Sequence, residues 1–258
     1  MNDLQGAIVL VTGSNGDIGK AIVHLFEERG AKVIRSDLEA PSRSSPGVDF
    51  IALDVTNEAS WSKAISSIEE RHGALDVLVN NAGIAPMTRM EDASLEQWRL
   101  CQQVNVEGSF LGLKTAAPLL ARSGTRRDGG AAVVNLCSGA SDKPTAFSAA
   151  YCVSKAAARM LTRVAAVEFS ALAYLIRVNS VHPGVVESRM MDDILAKFSQ
   201  ISGGAPIDDL RKAVAAGNPM GRFVDPAEVA EAVVFLSSSA ARFIHGDAIH
   251  VDGGYAAS

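Results

Sequence analysis

The chain has 258 residues, of which 48% are hydrophobic and 21% are charged. This apolar fraction is sufficient for a sizeable core, which excludes a disordered or fibrous chain, and the length fits one large α/β domain or two small ones. Lysine and arginine number 24 against 29 aspartate and glutamate residues, so the formal charge is −5. A nucleic-acid-binding surface requires an excess of basic residues, and we therefore expect no nucleic-acid partner.

The cysteines and the N-terminal segment indicate where the protein acts. Cys101, Cys137 and Cys152 are odd in number and lack CxxC spacing, so they predict neither a disulfide framework nor a zinc site. The five histidines also lack the spacing of metal ligands, and we expect no metal. The N-terminus has neither a basic segment nor a cleavage site, and no apolar stretch approaches the roughly 18 residues of a membrane span. These features predict a cytoplasmic protein without membrane association.

Short apolar runs alternate with segments of helical periodicity along the chain. Continuous apolar runs are typical of strands buried on both faces, as in parallel sheets. Strands are predicted at 7–11, 32–36, 50–53, 76–79, 132–136, 176–181 and 248–251, and helices at 18–29, 59–71, 95–120, 149–170 and 227–236. Pro118 predicts a kink or an early end in the third of these helices.

The alternation of strands and helices predicts the fold class. Strands separated by helices of this length form βαβ units, so we predict an α/β fold: a single-domain, Rossmann-like, doubly wound parallel sheet of about seven strands with helices on both faces. The domain covers 1–258. The long irregular segment at about 185–224 contains two short amphipathic pieces, at 190–198 and 207–215. We expect it to be a substrate lid, and the alternative is a surface helical hairpin.

A glycine-rich turn, TGSNGDIG at 12–19, joins the first predicted strand to the first helix. In this position a glycine-rich turn cradles a pyrophosphate on the N-terminus of the helix. Asp37 ends the second strand, 24 residues after Gly13, where a carboxylate accepts the hydroxyls of an adenosine ribose and repels a 2′-phosphate. The turn and Asp37 together predict NAD rather than NADP as the cofactor.

Three segments carry a resemblance to a known family. The turn at 12–19, the sequence NNAG at 80–83 and the sequence YCVSK at 151–155 resemble motifs of the short-chain dehydrogenase/reductase superfamily, and the likeness covers essentially the whole chain. The family's glycine motif is TGxxxGxG, and Asp17 occupies its middle glycine here, with Gly16 one place earlier. An acidic side chain beside a pyrophosphate is unfavourable unless it points away. We expect Asp17 instead to cap the helix and complement its dipole.

The resemblance implies a set of cofactor-binding residues. The Asp54–Val55 pair resembles the pair that contacts the adenine ring, and the segment of Asn81, Ala82 and Gly83 resembles the one that passes the adenine-proximal ribose. The sequence PGVVES at 183–188 resembles the PG motif, in which Ser188 would bond the nicotinamide carboxamide. The predicted cofactor-binding residues are Gly13, Ser14, Asn15, Asp17, Ile18, Gly19, Asp37, Asp54, Val55, Asn81, Ala82, Gly83, Tyr151, Lys155, Pro183, Gly184, Val186 and Ser188.

Tyr151 and Lys155 are the central candidates for catalysis. They are four residues apart in a predicted helix, so both side chains lie on one face. A free phenol has a pKa near 10, and lowering it by about 3 units requires roughly 4 kcal/mol. One ammonium about 4 Å away, at an effective dielectric constant near 20, supplies an energy of that order. The spacing therefore suits a tyrosine that acts as general acid and base.

Two more residues complete the candidate catalytic set by resemblance. Ser138 lies 13 residues before Tyr151 and matches the family serine that hydrogen-bonds the substrate oxygen and orients it toward the tyrosine. Ser141 is the competing hydroxyl. Asn105 resembles the helix asparagine that organises a water near the lysine, and its alternative interpretation is a polar residue satisfied at a helix kink.

The implied reaction is reversible hydride transfer between nicotinamide C4 and a secondary alcohol or ketone. One alternative is an NADPH-dependent 3-oxoacyl-[acyl-carrier] reductase, against which Asp37 and the lack of a basic residue at Ser14 argue. The other is a catalytically silent NAD-binding sensor, which should have lost one of Ser138, Tyr151 or Lys155. Titration of the pure protein with both cofactors would separate the three hypotheses.

The substrate and the assembly are predicted more coarsely. The candidate substrate contacts are Ser138, Ala140, Tyr151, Val185 and Met190. Their mainly apolar character favours a small hydrophobic alcohol or a hydroxysteroid-like molecule. The predicted helix at 149–170 carries small residues on a face away from Tyr151, and in the family this helix pairs across a two-fold axis. A homodimer or homotetramer is therefore expected.

Overall fold

The computed structural model describes residues 3–40 and 48–257. Seven strands form one parallel sheet in the order β3-β2-β1-β4-β5-β6-β7. The strands are β1 Ile8–Thr12, β2 Lys32–Asp37, β3 Phe50–Ala52, β4 Val77–Asn80, β5 Ala131–Leu136, β6 Ile176–Pro183 and β7 Ala248–Val251. This seven-stranded parallel sheet confirms the predicted fold class. Short runs such as IVLVT are buried along their whole length, as expected for strands between two helical layers.

Helices cover both faces of the sheet. They are α1 Asp17–Glu28, α2 Glu58–His72, α3 Leu95–Gln102, α4 Gly108–Gly124, α5 Ala149–Ala171, α6 Arg189–Ile201, α7 Ile207–Ala216 and α8 Pro226–Ser237. Alternate residues of each strand enter different cores: Ile8 and Leu10 pack with α2, α4 and α5, whereas Val9 and Val11 pack with α1 and α8. Among the described residues, no helix has the length and apolar character to cross a bilayer.

The predicted single helix at 95–120 differs from the structure. A π-helical turn at Gln103–Glu107 separates α3 from α4 and contains Asn105. Pro118 does not end the helix, since α4 continues to Gly124. Proline removes the hydrogen bond to the carbonyl of Lys114, but both residues lie on the exposed side of α4, where water can hydrate that carbonyl. The buried Leu119 and Leu120 hold the helix against the core.

The sheet order brings the candidate site residues to one edge. The sheet extends from β1 through β2 to β3 on one side and from β4 to β7 on the other. The strand order therefore reverses between the neighbouring parallel strands β1 and β4. A crevice opens at the carboxyl ends of such strands, where ligands of doubly wound folds bind. Gly13, Asn81, Ser138 and Gly184 each lie just after the carboxyl end of β1, β4, β5 or β6. The fold therefore gathers the four predicted segments around one crevice.

Candidate active site

The turn after β1 requires glycine at two positions. Gly13 has a positive φ of 63°, and a Cβ there would lie 2.8 Å from the Cα of Ala82. A Cβ on Gly19 would lie 2.2 Å from the carbonyl oxygen of Gly13. The absence of side chains lets the turn close tightly on the start of α1 and leaves its backbone accessible.

Asn81 holds this turn against the end of β4. Its Nδ2 donates hydrogen bonds to the carbonyls of Thr12, at 2.9 Å, and Gly13, at 3.0 Å. The hydroxyl of Thr12 accepts the backbone N–H groups of Asn81 and Ala82, at 3.0 and 3.1 Å. These bonds join the two central strands at the crevice and explain why the two predicted motifs belong to one site.

Asp37 lies beside the glycine-rich turn, as the spacing predicted. Its Oδ2 accepts the backbone N–H of Asn15 at 3.0 Å, and its Oδ1 accepts the N–H of Leu38 at 2.9 Å. The guanidinium of Arg35, the nearby cation on β2, donates to both carboxylate oxygens of Glu27 at 2.8 and 3.0 Å. The carboxylate of Asp37 thus determines the charge at the end of β2.

The expectation that Asp17 caps α1 is wrong. Gly16 is the N-cap residue, and Asp17 is the first residue of the helix. The Oδ2 of Asp17 instead accepts the backbone N–H of Arg189 at 2.8 Å, and its Oδ1 lies 3.5 Å from the Nε of Arg189. Arg189 also donates to the carbonyl of Asn15 at 3.1 Å. Asp17 thus connects the turn to α6, while its place in the first turn of α1 fits the expected complement to the helix dipole.

The glycine-rich turn fits a dinucleotide. The hydroxyl of Ser14 is buried and has no hydrogen-bond partner within residues 3–40 and 48–257, which is costly unless a ligand or water satisfies it. The backbone of Ser14 is fixed by a 3.0 Å bond from its N–H to Ser36, and Ile18 packs into the core from the first turn of α1. At the neighbouring strand end, Asp54 accepts both the N–H and the hydroxyl of Thr56, and Val55 is buried.

Ser138 and Tyr151 come together at the end of β5. The hydroxyl of Ser138 interacts with that of Tyr151 and acts to lower its pKa, and it accepts the backbone N–H of Ala140 at 3.1 Å. The second predicted hydroxyl, Ser141, donates instead to the carbonyl of Ser138 at 2.6 Å. This bond turns Ser141 back into its own loop, so of the two serines only Ser138 is paired with Tyr151.

Lys155 is buried on the same face of α5 as Tyr151. Its Nζ donates to the carbonyl of Leu136 at 2.7 Å and lies 5.8 Å from the centre of the Tyr151 ring. Burial lowers the pKa of Lys155. Gly83 adjoins this group, since a Cβ there would lie 3.4 Å from the Nζ and 3.2 Å from the Oδ1 of Asn105. The lysine therefore extends from α5 toward the segment that follows β4.

The pKa of Tyr151 differs from the simple electrostatic expectation. Burial raises the pKa of Tyr151 to about 12, and the interaction with Ser138 opposes the rise. Desolvation of the phenolate is the largest influence, so the phenol of Tyr151 is neutral at pH 7. The lowering by Lys155 stays a prediction for the protein with a cofactor bound.

Asn105 forms a buried network in the π-helical turn. Its Nδ2 donates to the carbonyl of Ile84 at 2.9 Å and lies 2.8 Å from the hydroxyl of Ser154, and its Oδ1 accepts the N–H of Ile84 at 2.9 Å. Ser154 in turn donates to the carbonyl of Tyr151 at 2.7 Å. Asn105 thus connects the turn after β4 to the helix that carries Tyr151, and π-turns are frequent at functional sites.

The PG segment follows β6 and leads into α6. Gly184 is required by packing, since a Cβ would lie 2.9 Å from the Cα of Asp252. Ser188 caps α6 by accepting the N–H of Met191 at 3.3 Å, and its hydroxyl lies 3.2 Å from the carbonyl of Val186. Val186 also forms a parallel bridge with Val224, which joins the two ends of the segment at 185–224.

The predicted substrate contacts occupy different environments. Ala140 and Val185 are partly buried beside the strand ends, whereas Met190 is 42% exposed on the first turn of α6. The rings of Phe147, in the loop before Tyr151, and Phe198, on α6, lie 5.9 Å apart. Phe147 adopts a positive φ of 64°, a strained conformation for a non-glycine residue, and its carbonyl accepts the N–H of Thr88.

Sequence spacing did not identify a cluster of three polar side chains beside the loop that begins at Ser138. Asp142, His182 and His250 lie together, with potential ligand atoms all within 4.8 Å of one another. They come from three distant segments, so only the register of β6 beside β5 and β7 could have indicated their meeting.

The comparisons with known proteins agree with this geometry. The family model described as enoyl-(acyl carrier protein) reductase matches residues 13–256. Cyclopentanol dehydrogenase of Comamonas sp. (strain NCIMB 9872) is 36% identical over 271 residues, covering 100% of both chains. The NADP-dependent (R)-specific alcohol dehydrogenase of Lentilactobacillus kefiri is 34% identical, covering 98% of both chains. The solved structure of Thermoplasma acidophilum aldohexose dehydrogenase superposes with a TM-score of 0.88 at 34% identity, covering 100% of this chain and 96% of the other.

The chain belongs to the short-chain dehydrogenase/reductase superfamily. It is an NAD(P)-dependent oxidoreductase of that superfamily.

Proposed function

We propose that the protein is an NAD-dependent dehydrogenase that interconverts a hydrophobic secondary alcohol and its ketone. The observation that carries the proposal is the pairing of Ser138 with Tyr151 at the end of β5, with Lys155 one helical turn further along α5. In this proposal Tyr151 would carry the proton and Ser138 would orient the substrate oxygen at the crevice beside the glycine-rich turn. The similarity to alcohol dehydrogenases supports the same reaction class.

In this proposal the bound nicotinamide supplies C4 as the hydride acceptor or donor. The hydroxyl of Ser138 holds the substrate oxygen. During oxidation, the phenolate oxygen of Tyr151 would accept the proton of the substrate hydroxyl. During reduction, the neutral phenol donates that proton to the carbonyl oxygen. Lys155 would stabilise the phenolate and hold the nicotinamide ribose, and Asn105 would organise a water near the lysine.

The cofactor-binding residues are assigned by position. Gly13, Ser14, Asn15, Asp17, Ile18 and Gly19 would hold the pyrophosphate, and Asp37 the adenosine ribose. Asp54 and Val55 would contact the adenine, and Asn81, Ala82 and Gly83 the adjoining ribose. Pro183, Gly184, Val186 and Ser188 would bind the nicotinamide end. The carboxylate of Asp37 supports NAD, because it would repel the 2′-phosphate of NADP.

The substrate enters, in this proposal, beneath the segment at 185–224. The Phe147–Phe198 contact and the Asp17–Arg189 pair both connect this segment to the crevice, which supports its role as a lid. Ala140, Val185 and Met190 would provide an apolar wall, which suits a cyclic alcohol or a hydroxysteroid-like molecule better than a charged acid.

The three cysteines are buried and unpaired, which suits a reducing cytoplasm.

A steady-state assay tests the proposed function. The purified protein is incubated with NAD or NADP and a panel of cyclopentanol, cyclohexanol, a 3-hydroxysteroid and glycerol, and NADH or NADPH formation is followed at 340 nm. We expect turnover of the apolar secondary alcohols with NAD. Preference for NADPH and a 3-oxoacyl thioester would support the acyl-carrier reductase instead, and NAD binding without turnover would support the silent sensor.

We further propose a homodimer or homotetramer. Four large apolar residues at helical spacing are exposed on α5: Val153 (48%), Met160 (55%), Val164 (50%) and Val167 (72%). An exposed apolar helix face of this kind is typical of a subunit interface. Light scattering at micromolar concentration should give two or four times the monomer mass of 27.0 kDa. Val164→Arg should shift the protein toward monomer, and a wild-type mass of one chain would contradict the prediction.

A further inference from the structure

We propose that His182 is a positioning residue for the reaction, because it fixes the backbone of Ser138 from the neighbouring strand. This inference rests on the proposed function, in which Ser138 holds the substrate oxygen. His182 is fully buried near the end of β6, and its Nδ1 lies 3.1 Å from the carbonyl oxygen of Ser138. The two residues are 44 positions apart in the chain.

The surroundings of the imidazole determine its tautomer. Nδ1 faces two acceptors, the Ser138 carbonyl at 3.1 Å and the Oδ2 of Asp142 at 3.6 Å, so it carries the hydrogen. On the other side of the ring, Nε2 lies 2.8 Å from the hydroxyl of Ser180, which can donate to it in preference to its longer contact, 3.3 Å, with the Asp247 carbonyl. A neutral ring with Nδ1–H therefore satisfies both nitrogens.

Burial and the neighbouring basic groups favour this neutral form. His250 on β7 lies 4.9 Å away between ring centres with the rings tilted by 40°, and Arg159 and Lys155 approach from α5. The carboxylate of Asp142, from the loop after β5, is the opposing charge. Burial, followed by the charge of His250, lowers the pKa of His182 to about 4, and the hydrogen bond to the Ser138 carbonyl opposes part of this lowering. His182 is thus a neutral donor at pH 7.

The same contacts argue against a metal in this cluster. Arg159 pairs with the Oδ1 of Asp142, and His250 Nε2 lies 3.1 Å from its Oδ2. The Nδ1 of His182 already donates to Ser138. The cluster is therefore satisfied as a hydrogen-bond network that supports the loop at 138–142 from β6, β7 and α5.

The consequence for catalysis is geometric. Ser138 begins the loop after β5, and the position of its hydroxyl follows from the position of its backbone. Ser141 also donates to the Ser138 carbonyl, but it belongs to the same short loop. His182 instead connects the backbone of Ser138 to β6, a strand of the sheet. A displacement of the order of 1 Å in such a group lowers turnover by up to about 100-fold.

Two variants separate the Nδ1 donor from the rest of the ring. The Nδ2 of asparagine lies the same number of bonds from the backbone as Nδ1, whereas the amide of glutamine corresponds to Nε2. We expect His182→Asn to keep kcat within about threefold of wild type, and His182→Gln and His182→Leu to lower it by tenfold or more. KM and Kd for the cofactor should change by less than twofold in all three.

The control is His245→Leu. His245 accepts the N–H of Val178 at 3.0 Å and lies 2.8 Å from the Ala166 carbonyl, so it makes similar backbone bonds away from Ser138. This variant should lower the Tm without lowering kcat. In a Ser138→Ala background, His182→Gln should lower the residual single-turnover rate by less than twofold, since there is no hydroxyl left to position.

Three results would overturn the inference: equal kcat for the Asn and Gln variants, wild-type kcat in His182→Gln, or an undiminished effect in the Ser138→Ala background. If His182→Leu does not fold, the comparison of Asn with Gln decides the question. Failure of the proposed function is a different observation, namely a wild-type protein that turns over no alcohol or ketone.

Discussion

Tyr151→Phe should lower kcat for alcohol oxidation at least 100-fold while leaving the fold and NAD binding largely intact. The substitution removes only the phenolic oxygen, which in the proposed mechanism carries the proton to and from the substrate. Proton transfer by a positioned side chain contributes about 10²–10⁴-fold to rate. The aromatic ring remains, so α5 should keep its packing and Lys155 its bond to the Leu136 carbonyl.

The measurement is kcat together with the Kd for NADH from fluorescence titration. Tyr174→Phe is the matched control, because Tyr174 lies beyond the end of α5 and packs on Phe169 at 5.9 Å between ring centres. That variant loses the same hydroxyl group far from Ser138 and should keep wild-type kcat. Retention of more than a tenth of wild-type turnover by Tyr151→Phe would exclude Tyr151 as the general acid and base.

The sheet could be predicted from the sequence because its strands are buried on both faces. A segment such as 8–11 must be apolar to lie between two helical layers, and this requirement leaves a continuous hydrophobic run. The interruption at Gln103–Glu107 leaves no such sign. A π-turn inserts a single residue into a helix, a shift of one position that this short stretch of sequence does not reveal, and Asn105 there forms a tertiary network with Ile84 and Ser154.

The site could be predicted where its residues lie close in the sequence. The Tyr151–Lys155 spacing and the glycine-rich turn are local patterns, and the structure brings both to the same sheet edge. Asp17 shows the limit of local reasoning, since position alone suggested a helix cap. Its actual partner, Arg189, is 172 residues away. The meeting of His182 with Asp142 and His250 likewise depends on strand register, which one sequence does not display.

Cofactor choice gives the second large expected effect. In the proposed complex the carboxylate of Asp37 accepts hydrogen bonds from the ribose, and bonds to a charged acceptor contribute about 1.5–3 kcal/mol each. Repulsion of a 2′-phosphate adds about 1 kcal/mol per unit charge at 4 Å in water. Wild-type protein should therefore show a higher kcat/KM with NAD than with NADP. Asp37→Ala should lower the ratio of the two values by at least about tenfold.

Glu39→Ala is the matched control for this substitution. It removes one negative charge two residues further along, from an exposed side chain, while the carbonyl of Glu39 still accepts the Nδ2 of Asn15 at 2.8 Å. We expect its cofactor ratio to remain within twofold of wild type. Arg35 should not reverse the preference, because its guanidinium is held by Glu27 on α1. If wild-type protein uses NADP as efficiently as NAD, or if both alanine variants shift the ratio equally, the carboxylate of Asp37 does not select the cofactor.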